Sequence, residues 1–198
     1  PFVRLDASRG ALVIGHESDL QDNVSLSGGA VRVGDRVIVA HGATIVGPAT
    51  VGAARGAPAF IGFNAFVDRA SVEPGAFVGH LARVGPGVVI RTGVKVLTGK
   101  FVRTQREADD PALGKVTPLT DADRDFMRAV LHVNTALAAG YVALFHTSPA
   151  EVHGAGRDPG HSDFNHDADL PRFAGRAEAH PEHDRIRIIG AVALDDGY

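Results

Sequence analysis

Val33-Gly34-Asp35-Arg36-Val37-Ile38-Val39-Ala40-His41-Gly42-Ala43-Thr44-Ile45-Val46-Gly47-Pro48-Ala49-Thr50-Val51 carries an aliphatic residue at every sixth position: Val33, Val39, Ile45 and Val51. Backward from this stretch, Leu26, Leu20 and Ile14 keep close to the same beat. Forward from it, Ile61, Val67, Val78, Val84, Ile90 and Val96 continue it. Gly follows many of these residues, as in Ile14-Gly15, Ile61-Gly62, Val78-Gly79 and Val84-Gly85. Small or apolar residues recur near the fifth position, such as Ala43, Ala65 and Val88. A six-residue repeat is the mark of a parallel β-helix in which each hexad is one short strand and a turn. Three hexads make one triangular coil, and each aliphatic side chain stacks inside the prism on its equivalent about 4.8 Å away. The competing architecture, a sandwich of short alternating strands, has a period of two and does not hold a six-residue beat over this length. The sequence therefore predicts a mainly β chain, a left-handed parallel β-helix over residues 1–102.

The composition agrees. The 198 residues contain 24 Gly, only 6% aromatics and no Trp, as expected of many short strands joined by tight turns. The formal charge of −3, without a basic run, gives no electrostatic footprint for nucleic acid. No apolar stretch has the length of a membrane span. With no Cys, thiolate chemistry is excluded and any metal site must use His, Asp or Glu. The chain opens Pro1-Phe2-Val3-Arg4 without a basic-then-apolar signal segment, so the expectation is a cytoplasmic protein.

The beat slips at Ser27–Arg32 and again at Gly52–Phe60, where a loop is expected to protrude from a corner. Residues 103–119 are polar and punctuated by Pro, and read as a connector. Thr120-Asp121-Ala122-Asp123 then offers hydroxyl and carboxylate caps for a helix over residues 120–145. Phe126, Val130, Val133, Leu137, Tyr141 and Leu144 form one apolar stripe on it, predicted to lie along a prism face. Residues 146–198 read as an irregular tail rich in His, Asp, Gly and Pro, with a short alternating strand at Arg185-Ile186-Arg187-Ile188-Ile189 that must dock somewhere.

Specific strings narrow the family. Leu20-Gln21-Asp22-Asn23-Val24, Ala40-His41, Val46-Gly47-Pro48-Ala49-Thr50-Val51-Gly52 and Phe60-Ile61-Gly62-Phe63-Asn64-Ala65-Phe66-Val67 resemble the γ-class carbonic anhydrases in order and spacing. So do Gln105-Arg106-Glu107-Ala108-Asp109 and, on the helix, Val133-Asn134 through Leu137-Ala138-Ala139-Gly140-Tyr141. The resemblance covers about residues 3–145. It implies that Arg4 and Asp6 form an Arg-x-Asp pair bracing a trimer, and that Gln21 is the polar residue near a metal-bound water. It also implies that Asn134 and Tyr141 line the site, and that His41 is one of three zinc-binding His residues. The other two ligands are replaced by Ser27 and Val46. Gly28-Gly29-Ala30 stands where an acidic proton shuttle follows the first ligand, and Ala7 where an active-site Glu follows the Arg-x-Asp pair.

The hexad count puts Ser27 and Val46 on one face in adjacent coils. His41 and Gln21 fall on the preceding face, and would reach a metal there only across a subunit boundary. A catalytic zinc takes three protein ligands and an open position, and a lone His does not hold zinc firmly enough to bring its water towards neutral acidity. The expectation is thus no bound cofactor and no CO2 hydratase acting alone. Zinc enters only if tail residues such as His161 and His166, or His180 and His183, complete the site. His80 shares the face of His41 but lies two coils away, about 9–10 Å by strand spacing.

Three functions remain open on the sequence. The first is a partner or scaffold subunit, in a homotrimer or in a heterotrimer with a zinc-binding paralogue. The second is an enzyme of altered chemistry in the same intersubunit cleft, a lyase or hydrolase on a small carboxylate. There Gln21, Asn134 and Tyr141 would bind the anion and His41 would act as a metal-free general base. The third is a hexapeptide acyltransferase, whose His base also lies between subunits.

Overall fold

The computed structural model describes residues 2–147 and 186–188; side chains from residue 139 onward lie outside the description, as do the tail residues His161, His166, His180 and His183. Short parallel strands stack into three six-stranded sheets that form the faces of a triangular prism. Face 1 consists of Arg4–Leu5, Ser25–Ser27, Thr44–Val46, Phe66–Asp68, Arg83–Val84 and Phe101–Val102. Face 2 runs from Ile186–Ile188 at its outer edge through Leu12–Ile14, Val31–Val33, Ala49–Val51 and Ser71–Val72 to Val89–Ile90. Face 3 consists of Asp19–Leu20, Val37–Val39, Ala59–Ile61, Phe77–Val78, Val94–Val96 and Val116–Pro118. All pairings are parallel except the last, in which Val116–Pro118 closes face 3 antiparallel to Val94–Val96.

The hexad residues fill the prism. Leu26, Ile45, Val67 and Val84 stack beneath face 1, Val33, Val51 and Ile90 beneath face 2, and Val39, Ile61, Val78 and Val96 beneath face 3, all buried. Each is worth roughly 1.5–3 kcal/mol when taken fully out of water. A regular coil takes three hexads, so Arg83 pairs with Phe101 at a spacing of 18 residues. The two sequence slips lengthen their coils: Ser25 pairs with Thr44, and Thr44 with Phe66. The structure adds a third slip. Val72 is buried five residues after Val67 and pairs with Val51, so this coil is one residue short.

At the corner where face 3 turns into face 1, one residue in each coil takes a left-handed backbone: Asn23, Gly42, Asn64, Leu81 and Gly99. At Gly42, where φ is 70°, a Cβ would stand 2.2 Å from the Asn64 side-chain oxygen, so a larger residue would carry backbone strain and push that side chain aside. The Gly52–Phe60 loop protrudes at the corner between faces 2 and 3. The Asp35 carboxylate pins it by accepting from the Arg55 amide, and the Arg36 guanidinium donates to the carbonyls of Arg55 and Gly56.

Residues 103–119 hold more order than a connector. They form helix α1 (Gln105–Asp109), a 3-10 turn (Pro111–Leu113) and the closing strand. The Gln105 side chain accepts from the Val89 amide and donates to its carbonyl, completing the end of face 2 as a strand would. Helix α2 (Asp121–Thr147) begins with a reciprocal cap: Thr120 Oγ1 accepts from the Asp123 amide, and the Asp123 carboxylate accepts from the Thr120 amide and hydroxyl. It lies along face 3, whose outward row is Asp19, Ile38, Phe60, Phe77 and Lys95.

Two polar contacts at the ends of that row set the helix in place. Lys95 pairs with Asp123, and Asp19 accepts from Asn134. The eleven-residue step from one helix partner to the other rises about 16–17 Å, close to the roughly 19 Å of four strand spacings. Among the described side chains of α2 the buried one is Met127, with Val130 and Leu131 half-buried beside it. The stripe expected from the sequence is therefore rotated. Phe126 meets Phe60 edge-on, while Val133 and Leu137 are 61% and 53% exposed. The alternating tail segment docks at the opposite end of the prism, where Ile186–Ile188 pairs with Leu12–Ile14.

Candidate functional site

Ser27 and Val46 are register partners on face 1, at the end of their strands where the chain turns towards face 2. Side chains so placed sit one strand spacing apart, about 4.8 Å, close enough that two imidazoles there would share one metal. A serine hydroxyl and a valine offer no such pair. Beside them the Gly28-Gly29 turn carries no side chain, and Ala7 is buried in the prism. Arg4 and Asp6 do meet, with Nη2 3.6 Å from Oδ2 and the Arg4 side chain largely exposed. Asp6 also accepts from the Ser8 hydroxyl and amide, and those bonds hold its carboxyl below the usual range.

His41 stands at the other edge of face 1, on the corner where face 3 ends. The Asp22 backbone amide donates to its Nδ1 at 3.2 Å, and the His41 amide in turn donates to Gln21 Oε1 at 3.3 Å. The length of the Thr44–Val46 strand separates His41 from Val46 of the same chain, whereas two donors on one zinc lie within roughly 4 Å of each other by bond length. Among the described residues no group of three His, Asp or Glu side chains converges to hold a metal ion. The donor set of a single chain, among the described residues, does not fit zinc.

Gln21 and Asn134 do come together, through a residue that the sequence reading passes over. Asp19 Oδ2 accepts from Gln21 Nε2 at 2.7 Å and from Asn134 Nδ2 of α2. Burial pushes the half-buried Asp19 carboxyl up from its ordinary value, against the Gln21 hydrogen bond and the His41 charge, while Asp22 adds to the upward push. The signal was in the sequence: Asp19 is the acid in an outward row that is otherwise apolar until Lys95. Tyr141 lies on the backbone of α2, with its side chain outside the described residues.

His80 extends the corner. Its Nδ1 accepts from the Phe63 amide at 3.0 Å, just as His41 accepts from Asp22. The Phe63 ring stacks on His80 at 4.6 Å and lies 5.5 Å from His41. Burial, then the Lys95 ammonium, hold the His80 imidazole below its usual value. A groove of about 440 Å³ flanks the opposite side of α2, lined by Glu17, Arg36, Leu119, Met127, Leu131 and His132 among others, and contains none of these corner residues. Among the described residues no helix is long and apolar enough to cross a membrane.

Comparison with known proteins bears on this site. No protein-family model matches the chain. A curated relative from Nostoc sp., named carboxysome assembly protein CcmM, is 32% identical over 142 residues, covering 65% of this chain and 24% of its own length. A carbonic anhydrase from Methanosarcina thermophila is 34% identical over 127 residues, covering 62% of this chain and 47% of its own. The chain thus spans about a quarter and about half the length of these relatives. A solved structure of a Bacillus cereus protein, named as an acetyltransferase, covers 72% of this chain and 92% of its own at 18% identity and a TM-score of 0.24, too slight a likeness to bear on function. The resemblance to the γ-class carbonic anhydrases carried by the short strings is thus shown by two named relatives and by the hexapeptide prism itself.

Proposed function

We propose that this chain is a γ-carbonic-anhydrase-like subunit with an incomplete zinc site, built to assemble as a trimer and to serve as a partner or scaffold rather than as a CO2 hydratase on its own. The pairing of Ser27 with Val46 carries this reading. It is the position at which the resemblance places two zinc-binding imidazoles, and neither residue supplies one. A single His leaves the metal without the ligand set that makes its bound water a nucleophile near neutral pH. The relative named as an assembly protein supports the scaffold half of the reading.

The test is metal content per subunit, measured on untagged protein prepared without chelator, together with mass in solution. A metal-free trimer is expected. About one zinc per subunit would overturn the reading of Ser27 and Val46, and a stable monomer would overturn the assembly. The second reading, an altered enzyme working through His41, draws on the Asp19–Gln21–Asn134 cluster beside it. The carboxylates of Asp19 and Asp22 work against a small carboxylate substrate at that corner, so a turnover screen on neutral substrates is its proper trial.

A further inference from the structure

We infer that His41 is held by a backbone amide as its Nε2–H tautomer, so that its outer nitrogen donates a hydrogen bond to an oxygen acceptor and does not ligate a metal. The inference deepens the reading of an incomplete zinc site, and rests on it only for the loss of the other two ligands.

A backbone amide nitrogen can only donate. The Asp22 N–H points at His41 Nδ1 at 3.2 Å, so that nitrogen must present its lone pair. In a neutral imidazole the other nitrogen then carries the proton. The Asp22 carboxylate is the group that would favour the opposite tautomer, but its Oδ2 is 3.7 Å from Nδ1, outside hydrogen-bond reach. The His41 ring is also fixed from its backbone, whose amide is taken by Gln21 Oε1 and whose carbonyl accepts from the Asn64 amide.

His80 shows that this is a device of the fold. One corner residue in a coil turns its amide along the prism axis, and a His on the next coil receives it, in the pairs Asp22–His41 and Phe63–His80. His41 is thus a corner cap first. To ligate zinc through Nε2 its proton must move to Nδ1, which orphans the Asp22 amide. A mixed trimer that recruited His41 to a paralogue's zinc would need the same move. The outward N–H has no partner among the described residues, and the His41 side chain is about half exposed. The Asp22 carboxylate, 3.7 Å from the ring, disfavours a further anion, so the acceptor that fits is an uncharged carbonyl or hydroxyl oxygen.

The tautomer is read directly by long-range proton–nitrogen NMR of the imidazoles in the intact, nitrogen-15-labelled protein above the pH at which imidazole is charged. His41→Gln and His80→Gln assign the signals. His41 and His80 are expected to share one pattern, Nε2 protonated and Nδ1 bare, and equimolar zinc chloride should leave the His41 pattern unchanged. Acetamide at high concentration should shift the His41 Nε2 signal saturably and more than acetate does. A protonated Nδ1 at His41, or a zinc-shifted Nε2, overturns the inference; an equal or greater response to acetate, or none to either probe, overturns the acceptor it names. Zinc bound elsewhere with the His41 pattern intact would sink the incomplete-site reading and leave this one standing. A reversed tautomer without zinc would do the opposite.

Discussion

Faces 1 and 3 of the prism have the same backbone and opposite fates. On face 3 the outward row runs Asp19, Ile38, Phe60, Phe77, Lys95: apolar in the middle, charged at both ends, and covered by α2. On face 1 one outward row runs Arg4, Ser25, Thr44, Phe66, Arg83, Phe101, and no described element covers it. There the Arg83 guanidinium lies over both Phe66 and Phe101, at 5.2 and 5.7 Å from the ring centroids. Inward residues make the prism, then, and outward residues decide what each face receives. A row with an apolar centre and two charged ends specifies a helix and its register. A row of small polar residues leading into an Arg–Phe ladder leaves its face open, as a docking surface between copies requires.

The most direct way to break this contrast is to empty the centre of the covered row. Phe60 is buried, stacked on Phe77 at 4.4 Å and met edge-on by Phe126. Phe60→Ala should cost about 3–5 kcal/mol, seen in denaturant unfolding, and should expose the amides of α2 to hydrogen exchange before those of the prism. Next comes the charged end at Lys95. Burial pushes the Asp123 carboxyl up, but bonds from Lys95 and Thr120 more than offset this and hold it below the usual range. A carboxyl lowered in the folded state stabilises above its unfolded pKa and loses that contribution as pH falls through the folded one. Asp123→Ala also removes half of the helix cap, so a loss of about 1–2 kcal/mol is expected at neutral pH, shrinking in acid unfolding curves below the ordinary Asp range.

At the other end the sign reverses. The Asp19 carboxyl is raised by burial, so its ionised form costs stability above its folded pKa, and the cost is relieved as pH falls through that value. Asp19→Asn keeps an oxygen for the two amide donors. It should match or exceed the parent in stability at neutral pH, with the difference closing on mild acidification; a variant weaker at every pH would show that the charge itself holds α2. The smallest effect belongs to the open face. Arg83→Ala removes exposed cation–π contacts worth about 0.5–1 kcal/mol, so thermal unfolding of the subunit should scarcely move. Mass in solution should fall if face 1 joins copies, and stay unchanged if it does not.

The prism was legible because its signal is redundant: some dozen aliphatic positions repeat one rule, and two slips do not hide it. The third slip escaped because Val72 arrives a residue early and leaves a gap that looks like a missing beat. The face of α2 was misjudged for a different reason. Phe126, Val133 and Leu137 make the more apolar stripe, but Asp19 and Lys95 on face 3 demand Asn134 and Asp123, and satisfying those polar groups rotates Met127 into the core. At the site, motif order marked Gln21, His41 and Asn134, and pairing showed Ser27 beside Val46. The role of Asp19, and of Nδ1 in capping a corner, depends on which atoms face each other across coils, and a linear pattern does not carry that.

A stack of coils has no inherent length: each coil offers the next the same row of open amides and carbonyls, and a bare end is a template for another copy. Among the described residues, three different pieces finish these ends. The Gln105 amide mimics a strand on face 2, Val116–Pro118 runs backward on face 3 with a proline that has no N–H to offer, and Ile186–Ile188 covers the first coil of face 2. The repeat supplies the material of the molecule, and these stoppers act as its ruler, separating a subunit of fixed size from a filament.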